Sequence, residues 1–273
     1  NNYPEIKYIN DINIDDQLFK YGVRINANLI EDLRSTEIPI ITGYSNNIPQ
    51  QTFFPWPFYP LLLSDSKHSI SKGIDAIKCD FVSSIDTISN NIKKTILLRS
   101  SRQSRLTLAP AKISLGILEN PPLSSSYNKK EQNIAVLLEG KFESIFKNRI
   151  LPKNQRMPFS ENSPENKMIV ISDGDLIANK VGENGSIYPM AYDRYIKYTY
   201  PGNKYFLINA IQYLCDNTGV TSLNAKTIKL RMLDKKKVSD YHLLIQIINI
   251  MTPLLLLLLF AILYNLNQKK QYA

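Results

Sequence analysis

The chain is 273 residues long, 44% hydrophobic and 21% charged, with Lys+Arg 33 against Asp+Glu 24 and a net charge of +9. That length allows one large domain or two small ones, either able to bury a core, and the positive excess admits an anionic membrane or nucleic acid as partner. No basic run interleaves with aromatics, which sets a nucleic-acid platform aside, and Cys79 and Cys215 lie far apart without a CxxC partner, which leaves no zinc site and predicts two separately buried thiols.

The opening "NNYPEIKYINDINID" is polar, rich in turn formers, and begins on Asn with no export signal. "RINANLIEDL" spaces Ile25, Leu29, Ile30 and Leu33 as a helix would, and "EIPIITG" reads as a short strand ending in Gly43. "QQTFFPWPFYPLLL" sets Pro55, Pro57 and Pro60 among aromatics. Proline bars a helix interior or a central strand, so this predicts an extended edge segment packing its rings onto the domain. "KTILLRS" and "KISLGIL" predict strands, while "NIAVLLEG" and "KMIVISDGD" are continuous apolar runs of the kind buried on both faces. Between them, "ENPPLSSSYNKKEQ" and "LPKNQRMPFSENSPENK" predict long hydrophilic loops. "GNKYFLINAIQYLCDNTG" predicts a helix with Phe206, Leu207, Ala210, Ile211 and Leu214 on one stripe, Asn203 at its N-cap and Gly219 as its stop. Apolar β runs with an amphipathic helix predict an α/β layered domain with a partly parallel sheet.

Near the C-terminus, Leu243 to Tyr264 carries no charged residue. Roughly 22 residues of helix are enough to cross a hydrocarbon core of about 30 Å. Leu and Ile, each favourable by about 0.5 kcal/mol near the centre, outweigh Gln246, Asn249 and Pro253, which lie toward one end. Tyr241 and Tyr264 bracket the run as interfacial aromatics do. The expected division is a domain over 1–237, a transmembrane helix over 238–264 and a short tail over 265–273. Arg231 and Lys235–Lys237 outnumber Lys269 and Lys270, which by local counting puts the domain in the cytoplasm. An upstream signal would override that count, because large domains cross largely regardless of charge.

The chemistry-bearing motifs are few. There is no G-x-x-x-x-G-K-[ST] and so no P-loop ATPase, and there is no G-x-S-x-G elbow. Neither cysteine stands on a strand-to-helix turn that would activate a thiolate. His68 and His242 are the only histidines; His242 abuts the apolar helix, and His68 reads as a loop residue. Asp173 and Asp175 in "SDGD" are candidate cation ligands or acid–base groups at a strand end. The favoured reading is turn chemistry, with Asp accepting backbone N–H bonds and Gly174 at positive φ. Arg99, Arg102 and Arg105 are candidate grips for an anion or an acidic partner, weighed against a solvated charged loop. No metal and no cofactor is expected.

Taken in order, "QLFKYGVRIN", "PWPFYPLLLSDSKHSISKGIDAIKCDFVSSIDT", "IKKTILLRSS", "AVLLEGKFESIFKNRI", "MIVISDGDLIANK", "GNKYFLINAIQYLCDNTG" and "IKLRMLDKKKV", followed by the leucine-rich helix, resemble the gliding-motility-associated ABC-transporter component of the GldG type found in Bacteroidetes. The resemblance runs from about Asp15 to the end. It implies the C-terminal portion of a longer protein with an initial membrane helix, a domain in the periplasm and a C-terminus in the cytoplasm. It implies a glutamine-amidotransferase-like, flavodoxin-like α/β domain, incomplete at its N-terminus and without a nucleophile. The implied role is a non-enzymatic auxiliary or substrate-binding subunit in the inner membrane, working with a permease and a separate ATPase. Gln246, Asn249, Thr252 and Pro253 are the candidate contacts with the permease helices. The competing readings are a membrane-bound hydrolase using Asp173 and Asp175, and a tail-anchored cytoplasmic scaffold.

Overall fold

In the computed structural model, residues 5–6, 13–64, 67–150, 158–216 and 242–272 are described. Strand β1 (Glu5–Ile6) precedes helix α1 (Asp15–Tyr21), which carries Asp15 and Asp16 in its first turn and Lys20 in its last, matching the helix dipole. Gly22, at φ 90°, ends it by donating its N–H to Leu18 O and Phe19 O. Then come β2 (Val23–Ile25), β3 (Asn28–Asp32), β4 (Ser35–Ser45) and β5 (Ile48–Leu62). Asn46 and Asn47, both at positive φ, make the two-residue turn that joins β4 to β5. Next are β6 (Ile77–Lys78), β7 (Ile85–Thr87), β8 (Lys93–Arg99), β9 (Ser104–Leu108), β10 (Ala111–Lys112) and the short helix α2 (Gly116–Glu119). Strands β11 (Asn133–Glu143) and β12 (Asn162–Ile171) form a long hairpin, followed by β13 (Tyr192–Asp193), β14 (Tyr198–Thr199) and helices α3 (Pro201–Cys215) and α4 (His242–Tyr272).

Two three-stranded sheets, β12-β11-β8 and β4-β5-β6, are accompanied by the two-stranded ribbons β1-β10, β2-β7, β3-β9 and β13-β14. Every strand pairing among the described residues is antiparallel, so the partly parallel sheet expected above is corrected. The continuous apolar run of β11 has another cause. It is the middle strand, and each of its faces meets a different core. Ile134, Ala135 and Leu137 join Ile30, Leu62, Leu97, Leu176 and Phe206. Val136 and Leu138 join Leu18, Val23, Ile85 and Phe142. Each such fully buried Leu or Ile favours the fold by about 2 kcal/mol over its exposed state.

Other local expectations change in the same way. "RINANLIEDL" is not a helix: Asn28–Asp32 is buried at all five positions and pairs with β9, Ile30 opposite Leu106. Pairing and burial on both faces override helical spacing there. "KISLGIL" keeps one strand residue, Lys112, before turning into α2. The second expected loop is a strand from Asn162 onward, and its part at 151–157 lies outside the described residues. The proline-rich segment is extended and buries Trp56 and Phe58 against Leu29, Ala111 and Ile113, as expected. It does lie between β4 and β6, but β6 pairs only with Leu61 and Leu62, past the last proline. Cys79 is buried, whereas Cys215 is exposed.

Helix α3 starts with Pro201 at its first turn, which places Asn203 inside the helix and not at the N-cap. Gly202, Asn203, Phe206 and Ala210 are buried; Ile211 and Leu214 are exposed, so the apolar stripe is narrower than its spacing suggests. Gly202 lies so close to the segment leading into β6 that an added Cβ would sit 2.5 Å from Ala76 O and closer still to Asp75 O, which only glycine accommodates. The expected stop at Gly219, the charges Arg231 and Lys235–Lys237, and Tyr241 lie outside the described residues.

The chain forms two compact units, Asn1–Thr227 and Ile228–Ala273. In the second, α4 is 31 residues long with Pro253 inside it and no charged residue before Lys269. Leu254 through Leu259 are each more than half exposed. Among the described residues no helix is long and apolar enough to cross a membrane. That statement covers only part of α4, because the side chains of 242–245, 248, 262, 263 and 265–272 lie outside the described residues.

Candidate functional site

The end of β12 delivers Ser172 and Asp173 to the end of β6. Ser172 hydroxyl donates to Ser83 O at 2.6 Å, which ties the strand end to the segment after β6. Asp173 is buried, and both its oxygens accept backbone hydrogen bonds: Oδ2 from Asp80 N at 3.0 Å and Oδ1 from Asp175 N at 2.8 Å. This is the turn chemistry expected of "SDGD", except that Gly174 takes φ −73° and needs no positive φ. Burial pushes the Asp173 carboxyl up to about 6, against the downward pull of its two backbone hydrogen bonds, with Asp175 and Asp80 adding repulsion. The same carboxylate is a neighbour of Cys79, whose thiol is raised first by burial and then by Asp173, so it stays a thiol. Asp175 is exposed and supplies only its backbone N–H to Asp173. Among the described residues no three of His, Cys, Asp and Glu gather as a metal-binding group.

Beside this strand end lies a buried charge cluster. Lys78 Nζ sits 2.9 Å from Asp80 Oδ1, 3.8 Å from Asp193 Oδ2, and 4.9 Å from the centroid of the Tyr59 ring. The Lys78, Asp80 and Asp193 side chains are all below a tenth exposed. Lys180 closes the group by bridging to the other Asp80 oxygen. Burial pushes Asp80 up, but attraction to Lys78 and the bonds from both lysines overcome it and hold the carboxyl below its ordinary value. Asp193 accepts from Tyr195 N at 2.9 Å, fixing the turn after β13. Asn203 on α3 holds the cluster from beneath: its Oδ1 accepts from Lys78 N, and its Nδ2 donates to Lys78 O and Leu176 O.

Above the cluster opens a cavity of about 660 Å³. It is lined by Tyr59, Lys78 and Asp193, by the turn from Lys180 to Asn184, and by Tyr188, Tyr192, Arg194 and Tyr195. Tyr188 and Tyr192 stack at 5.0 Å and 11°. Gly182 N donates to Ser186 O and Asn184 Oδ1 accepts from Ser186, which shapes the turn over the cavity.

The three candidate arginines do not converge on one anion site. Arg99 and Arg102 pair with Glu131, at 3.6 and 2.9 Å. Arg105 grips buried Glu31 through two bonds of 2.7 and 2.9 Å, and Glu31 also accepts from Thr107 and Tyr127. Acids within the chain thus take up their charge. His68 sits in a turn, its ring edge-on to Tyr213, with its titration lowered by burial. Sequence reasoning missed Lys78, Asp80, Asp193, Asn203 and the tyrosines. One signal was available: Lys78 and Asp80 flank buried Cys79 at strand period, so both face the same way.

Residues 2–210 match the model of a family described as an ABC-type uncharacterized transport system, made up of auxiliary components of such transporters. The chain belongs to this family. The match ends within α3, so it covers the strand end, the charge cluster and the cavity of the auxiliary protein. No curated protein and no solved structure matches the chain.

Proposed function

We propose that this auxiliary protein is a non-enzymatic, membrane-anchored subunit of an ABC transporter, whose domain binds a substrate or partner outside the cytoplasm. The observation that carries the reading is the family match over 2–210, in a chain that lacks a P-loop and so depends on a separate ATPase. Helix α4 is the anchor, spanning the inner membrane with its tail in the cytoplasm. Its exposed leucines suit lipid. Gln246, Asn249 and Pro253 fall three and four residues apart on one helix face with Thr252 beside them, which suits packing on the helices of a permease. The resemblance to the GldG type supports a link with gliding motility.

The non-enzymatic reading is supported by Asp173, whose two oxygens are both engaged by backbone N–H groups, and by the exposed position of Asp175. Gentle detergent extraction of the full chain should bring down a permease and an ATPase; a clean monomer would overturn the partnership. The side of the membrane is tested separately. Protease added to intact spheroplasts should degrade the domain, and protection until lysis would favour the tail-anchored cytoplasmic scaffold.

A further inference from the structure

Two charged residues line the cavity over Lys78 without a partner of opposite sign. The cluster at its base is complete in itself: Lys78 pairs with Asp80 and Asp193, and Lys180 pairs with Asp80. Arg194 and Glu183 are left over. Both line the cavity, and among the described residues neither forms an ion pair. The Arg194 guanidinium is raised first by its bond to the Tyr195 hydroxyl and least by Glu183, which places that carboxylate near it but out of contact.

Each of the two stands on a braced turn. Asp193, itself anchored on Lys78, accepts from Tyr195 N at 2.9 Å and Ile196 N at 3.4 Å, which pins the backbone around Arg194. The guanidinium then lies 4.9 Å over the Tyr195 ring and donates from Nη2 to its hydroxyl at 3.0 Å. The other N–H groups of the fork stay available, in the geometry that suits a carboxylate. Glu183 stands in a turn closed by Gly182 N on Ser186 O at 2.7 Å and by Gly185 N on Gly182 O at 2.9 Å. The backbone of both charged residues is therefore fixed before a ligand arrives, which lowers the cost of binding.

The ligand's charge follows from this pair. A lone anion would meet Arg194 but also the repulsion of Glu183, and a lone cation would meet the reverse. A neutral ligand would use neither. A ligand with both groups gains two charge-assisted bonds, each roughly twice as strong as a neutral one. A volume of about 660 Å³ suits a small organic molecule, and Tyr59, Tyr188 and Val181 offer apolar surface for its body.

We propose that this cavity binds a small zwitterion, a free amino acid or a short peptide, with its carboxylate on Arg194 and its ammonium group on Glu183. The proposal rests on the reading of the domain as the ligand-binding part of a transporter subunit and names the chemistry of that ligand.

Calorimetry on the detergent-solubilised full chain would use leucine, dileucine and trileucine, which separates the two sources of this chemistry. Each is compared with its N-acetyl form, which lacks the ammonium group, and with its C-terminal amide, which lacks the carboxylate. At least one free zwitterion should bind, and each blocked form of it should bind about tenfold more weakly. Arg194→Gln should weaken the free ligand about tenfold. It should leave the amide within about twofold of its native affinity, because the group that Arg194 holds is already gone. Glu183→Gln should behave in the same way toward the free ligand and its N-acetyl form. Lys130→Gln, at an exposed lysine outside the cavity, should bind as the native chain does. Binding of no free zwitterion, equal binding of a blocked form, or unchanged affinity in Arg194→Gln or Glu183→Gln each overturns the proposal. Zwitterion binding by a chain that extracts without a permease supports it and removes only the transporter partnership. A co-extracted permease with no zwitterion binding sinks the proposal alone.

Discussion

Replacing Lys78 by Met should cost the fold about 4 kcal/mol, the range found when one partner of a buried ion pair is removed. Met nearly preserves the volume, so the loss is electrostatic and not a cavity effect. In the native chain Asp80 faces Lys78 at 2.9 Å and Asp193 faces it at 3.8 Å, with all three side chains shielded from water. Without the ammonium, Asp80 keeps Lys180, whereas Asp193 keeps only its bonds from the backbone of Tyr195 and Ile196. The paired charges are not a large net source of stability in themselves, because taking them out of water offsets their attraction. Breaking the set is costly because it leaves a buried carboxylate alone. Denaturant melts of the full chain measure the effect. Adding Asp193→Asn to Lys78→Met should return part of the loss, giving a coupling of about 1–3 kcal/mol in the double-mutant cycle. A loss below about 1 kcal/mol in Lys78→Met would mean that water reaches the cluster and the burial argument fails.

That cluster also marks the limit of what the sequence discloses. Elements set by short-range pattern were legible: β8 and β11 from their apolar runs, α3 from its spacing, the aromatic packing of the proline-rich segment, and the turn at Asp173. Those decided by a distant partner were not. Asn28–Asp32 carries helical spacing but becomes a strand because β9 lies 76 residues further on, where Thr107 and Arg105 also satisfy Glu31. β11 reads as a parallel-sheet strand because double-sided burial alone does not distinguish a parallel neighbour from two separate cores. The candidate site followed the same rule. Asp173 announced itself at a strand end, but its partners Asp80 and Cys79 come from β6 and its neighbourhood, 93 residues away in the case of Asp80. Asn203 was placed as a cap from local grammar, and its true work is across 125 residues, on Lys78. The arginine clump looked available as an anion grip because its acids, Glu31 and Glu131, lie elsewhere in the sequence.

Asp173 gives the remaining expected result, a pH dependence of stability that disappears in Asp173→Asn. The carboxyl moves from 3.8 to about 6 on folding, chiefly by burial. The native state therefore binds this proton more tightly than the unfolded chain, and the sign follows: above pH 6 both states are ionised and the buried charge weighs against the fold. As pH falls through 6 toward 3.8 the native carboxyl protonates first and the penalty is relieved, by about 3 kcal/mol over the full interval. Other groups oppose this. His68, lowered by burial, loses stability for the fold as pH drops below its ordinary value, and Asp80 and Glu139, held low by their lysines despite burial, do so in more acid solution. The difference between native chain and variant removes those shared contributions. Asparagine cannot offer two oxygens to the Asp80 and Asp175 N–H groups, so Asp173→Asn is less stable by an amount independent of pH. The native advantage should then widen by about 2.4 kcal/mol between about pH 7.5 and about pH 4, most of the full interval. A constant difference across that range would mean that Asp173 titrates near its ordinary value and is hydrated. The strand end would then be open to a ligand, and the hydrolase reading would regain its carboxylate.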